Sequence, residues 1–116
     1  MYNSKTYEED LEFQLKYINL DFLKNKSILV TGANGLICSY LIDLLIYANE
    51  KFNANILIYA LGRSEEKLKK RFKEYYQKEY FHPVIQDVCE KIKLKENIDY
   101  IIHGASPATP KLYIQN

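Results

Sequence analysis

The sequence has few of the residues that mark metal centres or disulfide frameworks. Its 116 residues include two cysteines, Cys38 and Cys89, and two histidines, and none of them forms a Cys-x-x-Cys or Cys/His cluster. This pattern argues against a zinc site. Two unclustered thiols fit a reducing compartment, so we expect the protein in the cytoplasm.

Long apolar runs and an excess of charge of one sign are also missing. No segment approaches the roughly 20 apolar residues of a membrane-spanning helix. Residues 1–5 do not open a signal peptide. Lysine and arginine number 16 against 15 acidic residues, which gives a net charge of +1. This balance predicts no nucleic acid and no membrane as a partner.

What the sequence does contain is a regular alternation of strand and helix patterns. Apolar runs at residues 27–31, 56–60, 82–88 and 100–103 predict four strands. Helical patterns lie at residues 7–18, 36–47 and 65–80, the last after Ser64 as N-cap, and residues 89–97 form a short helix or loop. Strands that alternate with helices predict parallel pairing with right-handed crossovers. Helix 36–47 should turn inward its apolar residues Leu36, Ile37, Leu41, Leu44, Leu45 and Ala48.

The first predicted strand runs directly into a glycine-rich turn, Gly32-Ala33-Asn34-Gly35, and then into a helix. Unpaired backbone N–H groups at a helix start attract phosphate. Gly32 permits a tight turn, Gly35 lets a pyrophosphate approach the backbone, and Asn34 tolerates left-handed dihedrals. The alternative is a structural turn without a ligand. The strand and helix on either side favour a Rossmann-type dinucleotide-binding turn.

Three segments resemble one known family. Residues 31–41 are similar to the T-G-x-x-G-x-x-G start of the extended short-chain dehydrogenases/reductases, the NAD-dependent epimerase/dehydratase family. Residues 99–110 resemble its D-x-I-x-H-x-A-S-P-A-S-P segment, in the version of nucleotide-sugar dehydratases and UDP-glucuronate decarboxylases, and residues 86–88 resemble its aspartate beside the adenine. The resemblance covers residues 27–110. It implies the N-terminal half of a doubly wound parallel α/β sheet, strand order 3-2-1-4, with residues 1–26 as a helical appendage and residues 27–116 as part of the dinucleotide-binding domain.

The expected cofactor is NAD or NADP. The resemblance and the turn together predict these cofactor-binding residues: Gly32, Asn34, Gly35, Leu36, Ile37, Arg63, Asp87, Val88, Gly104, Ala105 and Ser106.

Two positions depart from the family pattern. Cys38 stands where the third glycine allows close packing of helix on strand, and a small buried thiol would hold the helix slightly further away. After the second strand the chain has Arg63 rather than an acid for the ribose hydroxyls. An arginine there can accept a 2′-phosphate, so the residues lean towards NADP, although dehydratases and decarboxylases of the resembled type recycle a bound NAD.

The catalytic Tyr-x-x-x-Lys pair that the family needs is not found in its expected place. Tyr47 and Lys51 form such a string, but at the far end of the helix that follows the glycine turn, and we interpret it as chance. His103 is interpreted as a strand-end residue rather than a base. We therefore predict an N-terminal portion of an enzyme that binds cofactor without catalysis, with strand four as an open, self-associating edge.

Several functions remain open. The leading hypothesis is the NAD(P)-binding part of a nucleotide-sugar epimerase, dehydratase or decarboxylase, whose substrate is a nucleotide sugar and which the family implies to be a homodimer. An NADPH-dependent reductase of the same fold is the enzymatic alternative. A non-catalytic dinucleotide-binding module and an interaction domain with a decayed site are the alternatives from other classes.

Overall fold

A computed structural model describes residues 5–87, 97–104 and 111–114, the last of these for the backbone alone. The four parallel strands appear in the predicted order, with a helix after each of the first two. Two helices precede these strands and one strand follows them. Most of the predicted short helix or loop at residues 89–97 lies outside the described residues. The elements are α1 (Lys5–Leu15), α2 (Leu20–Leu23), β1 (Ser27–Thr31), α3 (Leu36–Phe52), β2 (Leu57–Gly62), α4 (Glu65–Arg71), β3 (Phe81–Ile85), β4 (Tyr100–His103) and β5 (Lys111–Ile114).

The strands form one sheet in the order β3-β2-β1-β4-β5. The first four are parallel and confirm the predicted α/β, doubly wound order 3-2-1-4. The prediction that β4 forms an open edge was wrong, because β5 pairs antiparallel with it from Tyr100↔Ile114 to His103↔Lys111. A four-residue strand that returns along its neighbour satisfies the backbone groups of that edge.

Several boundaries differ from the predicted ones. Helix α4 ends at Arg71 rather than near residue 80, and turns replace its second half. Phe72 and Tyr76 both contact Phe81 at the start of β3. This aromatic packing favours turns over a continued helix after Arg71. Helix α3 is longer than predicted and ends at Phe52, where Asn53 adopts a left-handed φ of 52°.

The core lies on both faces of the sheet. Ile28 and Val30 of β1 face α3 and α4, and Leu29 faces the other side with Tyr59 and Ile98. This alternation follows from the two-residue period of a strand. Residues facing α3 and α4 belong to the larger cluster, so that face anchors the helix that begins at the glycine turn and the helix that follows β2.

The inward face of α3 was predicted only in part. Leu36 and Ile37 are 86% and 55% exposed, whereas Cys38 in the same turn is 2% exposed. Ile42 and Ile46 are fully buried in their place. The buried face of the helix is therefore rotated and begins at Cys38 rather than at Leu36.

The N-terminal helix packs against α3. Leu11 and Leu15 are buried in the same core cluster as the sheet residues. The Tyr40 hydroxyl of α3 donates a hydrogen bond of 2.6 Å to Asp10 of α1. A division of the chain at residue 26 stays a prediction. None of the helices in the described ranges is long and apolar enough to cross a membrane.

Candidate functional site

The glycine turn closes tightly between β1 and α3. Gly32 has a φ of 66°, and its carbonyl oxygen accepts the Gly35 N–H at 2.9 Å. The Ala33 N–H donates to the Leu61 carbonyl at 3.0 Å and fixes the turn to β2. Gly35 is the N-cap of α3 and offers no side chain to the N–H groups of the first turn. Those groups therefore stay available to an anion.

A Cβ on Gly35 would lie 3.2 Å from the Gly32 carbonyl oxygen, a close contact that requires a small shift of the backbone. Asn34 does not have the positive φ that the sequence suggested for it. Its Nδ2 atom instead lies close to Gly62, 3.4 Å from where a Cβ on that glycine would be. The amide side chain thus bridges the turn after β1 and the end of β2.

A cavity of about 500 Å³ opens at the carboxyl ends of the parallel strands. It lies where the sheet order reverses, because β2 and β4 flank β1 on opposite sides. Ligands of open α/β sheets bind at such a point. Its described lining residues are Gly32, Ala33, Asn34, Gly35, Leu61, Gly62, Arg63, Ser64, Lys67, Asp87 and Gly104.

Six of the predicted site residues meet in this cavity, namely Gly32, Asn34, Gly35, Arg63, Asp87 and Gly104. Leu36 and Ile37 lie beside it on the exposed first turn of α3 and do not line it. Val88, Ala105 and Ser106 fall outside the described residues. Cofactor contacts by all of these residues stay predictions.

Lys67 was missed by the sequence reasoning. The Ser64 side chain accepts the Lys67 N–H at 3.2 Å, which confirms Ser64 as the N-cap of α4. Lys67 and Arg63 both line the cavity. The sequence feature that could have identified Lys67 as a site residue is its basic side chain three positions after the N-cap Ser64.

Thr31 connects the glycine turn with the end of β4. Its Oγ1 atom accepts the Gly104 N–H at 3.0 Å and lies 2.9 Å from Nδ1 of His103. Thr31 is fully buried, and His103 is its register partner across the two strands. One hydroxyl group therefore fixes the distance between two sides of the cavity mouth.

Cys38 takes a packing position. It is 2% exposed within the core between α3 and the sheet, and burial raises the pKa of its thiol. A buried thiol with a raised pKa is a poor nucleophile. The side chain fills the space that a third glycine would leave open.

The Tyr47 and Lys51 pair lies far from the cavity. Both residues belong to the last turns of α3, whose first turn adjoins the glycine turn. Tyr47 is 7% exposed and packs edge-on against Phe52. At about 1.5 Å per residue the pair stands more than three helical turns from the cavity. In the part of the chain that is described, no group of three or more His, Cys, Asp or Glu side chains could hold a metal ion.

Comparison with known proteins gives two informative relatives. The chain is 31% identical over 115 residues to "UDP-glucuronic acid decarboxylase 1" of Danio rerio. The match covers 97% of this chain and 26% of that relative, so the chain spans about a quarter of its length. A Shigella flexneri 2a protein described as a short-chain dehydrogenase superposes with a TM-score of 0.53 at 23% identity, over 73% of this chain and 41% of that one. No protein-family model matches the chain.

The fold and the cavity define a Rossmann-type α/β unit, and the structural likeness supports that fold. The sequence similarity to the decarboxylase and the shared fold support the predicted resemblance to the short-chain dehydrogenases/reductases of the epimerase/dehydratase family. The family is one of nicotinamide-dinucleotide enzymes, and the predicted resemblance is confirmed at that level.

Proposed function

We propose that the chain binds a nicotinamide dinucleotide in the cavity at the strand ends, with the pyrophosphate on the glycine turn. The observation that carries the proposal is the convergence of the Gly32–Gly35 turn and Gly104 on one cavity at the point where the sheet order reverses. The uncapped N–H groups after Gly35 supply the donors for the phosphate oxygens. The volume of about 500 Å³ suits the adenosine and pyrophosphate half of the ligand.

We propose NADP rather than NAD as the preferred form. Arg63 and Lys67 both line the cavity beyond the end of β2, and Asp87 is the one carboxylate among its described lining residues. A 2′-phosphate would lie near two cations there. The free ribose hydroxyls of NAD would lack the Asp or Glu that usually binds them at the end of the second strand. Asp87 lies at the end of β3, where we place the adenine.

For the whole protein we propose a nucleotide-sugar epimerase, dehydratase or decarboxylase. The bound dinucleotide would accept a hydride from a carbon that bears a sugar hydroxyl and usually return it. The relative named as a UDP-glucuronic acid decarboxylase supports a sugar nucleotide as substrate. The 116-residue chain by itself should bind cofactor without turnover. Arg63 and Lys67 favour an NADPH-dependent reductase as the second candidate.

Isothermal titration with ADP-ribose, NAD and NADP tests the proposal. We expect ADP-ribose to bind as well as NAD, and NADP to bind about tenfold more tightly than NAD, as one good phosphate ion pair would give. Arg63→Ala and Lys67→Ala should each reduce that preference. Lys70→Ala is the matched control, because this exposed lysine of α4 does not line the cavity. Absence of binding by all three ligands would refute the proposed site.

A further inference from the structure

A buried carboxylate joins three helices outside the cavity. Asp43, in the middle of α3, is fully buried. Arg71, the last residue of α4, donates from Nη1 to Asp43 Oδ1 over 3.2 Å and from Nη2 to Oδ2. The Tyr7 hydroxyl of α1 donates to the same Oδ2. A carboxylate withdrawn from water needs charged and hydrogen-bonding partners, so this cluster holds the three helices in one arrangement.

The cluster stands close to the helix ends that form the cavity. Asp43 lies about two turns along α3 from the glycine turn. Arg71 lies one turn along α4 from Lys67, and residues four apart share a helix face. We call Arg63 and Lys67, the two cations that line the cavity, the cationic wall. The ion pair therefore fixes α3 against α4 near the glycine turn and the cationic wall.

We propose that Asp43 positions the cationic wall of the cavity against the glycine turn, and that the N-terminal helix α1 acts on the cavity through Tyr7. None of Asp43, Arg71 and Tyr7 lines the cavity, so we treat all three as positioning residues. The expected effect of Tyr7 on ligand binding rests on the proposed dinucleotide site. The expected effect of Tyr7 on the position of α4 does not depend on a ligand.

Tyr40 provides a matched comparison for Tyr7. Both tyrosines make hydroxyl-to-carboxylate hydrogen bonds between α1 and α3, and their rings contact each other edge-on at 5.8 Å. The Tyr40 hydroxyl reaches Asp10 on α1, an exposed bond, and the Tyr7 hydroxyl reaches the carboxylate that also holds α4. Removing either hydroxyl keeps the ring in place, so the variants should fold alike.

The first test is amide hydrogen exchange on the ligand-free chain. In Tyr7→Phe the amides of Lys67, Leu68 and Phe72, which are bonded to the cap and within α4, should exchange at least about threefold faster than in the wild type. In Tyr40→Phe they should exchange at the wild-type rate. Equal rates in all three proteins, or equal acceleration in both variants, would overturn the inference.

The second test compares 2′,5′-ADP with 5′-ADP by isothermal titration. Tyr7→Phe should weaken the binding of 2′,5′-ADP about threefold more than that of 5′-ADP, because a loosened α4 carries Lys67 away from the 2′-phosphate. Tyr40→Phe should leave the ratio unchanged. An equal loss for both nucleotides would contradict the positioning role. If the wild type binds neither nucleotide, the proposed function fails, and the exchange experiment still decides the inference.

Discussion

Thr31 and His103 face each other across the parallel strands β1 and β4, with Thr31 Oγ1 2.9 Å from His103 Nδ1. The same oxygen accepts the N–H of Gly104 at the cavity. Thr31→Val removes both contacts from a fully buried position. We expect the free energy of unfolding to fall by about 1–3 kcal/mol and the affinity for ADP-ribose to fall with it.

Thr31→Ser is the control for that change, because serine keeps the hydroxyl. Urea unfolding and isothermal titration of both variants check the prediction. Serine should retain most of the ligand affinity. If valine and serine bind ADP-ribose equally well, the hydroxyl does not organise the cavity.

Gly35→Ala should separate binding from stability. Its φ of −67° suits alanine, but the added Cβ would lie 3.2 Å from the Gly32 carbonyl oxygen. We expect a loss of about 1 kcal/mol or less in the free energy of unfolding, since alanine is a weaker N-cap than glycine. The affinity for ADP-ribose should fall about tenfold or more, because the methyl group obstructs the approach of the pyrophosphate. Unchanged affinity would place the pyrophosphate elsewhere.

Cys38 should resist thiol reagents in the folded chain. It is 2% exposed, and burial raises its pKa, so little reactive thiolate reaches solvent. In a Cys89→Ser background, reaction with a disulfide reagent at pH 8 should be at least about tenfold slower than in urea. A native rate equal to the rate in urea would show that the thiol is accessible.

Alkaline pH should destabilise the fold through partly buried tyrosines that donate hydrogen bonds to carboxylates. Burial and a hydrogen bond to Asp10 raise the pKa of Tyr40 from 10.0 to about 12. Burial, followed by a hydrogen bond to a carboxylate, also raises the pKa of Tyr7 and Tyr80. The unfolded chain releases these protons near pH 10 and the folded chain releases them later. The stabilisation is therefore complete below pH 10 and is lost as the pH rises through the folded values.

Urea unfolding between pH 8 and pH 12 measures this loss. The midpoint should stay level to about pH 9 and then fall. Tyr40→Phe should make the decline shallower. A midpoint that is constant up to pH 12 would contradict the raised pKa values.

The sequence predicted the parts of the fold that local patterns determine. Short apolar runs identified all four parallel strands, and the glycine turn with its flanking strand and helix located one wall of the cavity. Arg63 was assigned from its place after the second strand, and Asp87 and Gly104 were assigned from the family resemblance; all three line the cavity. Ser64 was recognisable as a cap from its residue type and position.

The remainder depends on contacts between distant residues. Asp43 resembles any polar residue of a helix, because its partners Arg71 and Tyr7 lie 28 and 36 positions away. The early end of α4 follows from packing of Phe72 on Phe81, which the helical spacing of the apolar residues does not reveal. The pairing of β5 with β4 is likewise a long-range choice, because a local apolar pattern does not show which strand a segment will pair with.

A two-dimensional ¹⁵N NMR titration of the 116-residue chain with ADP-ribose tests the dinucleotide site most directly. We expect saturable shifts of the amide signals of Gly32, Asn34, Gly35 and Gly104, with the signals of Tyr47 and Lys51 unchanged. That result would place the ligand on the glycine turn. Shifts confined to other residues, or no shifts at millimolar ligand, would contradict a dinucleotide site at this cavity.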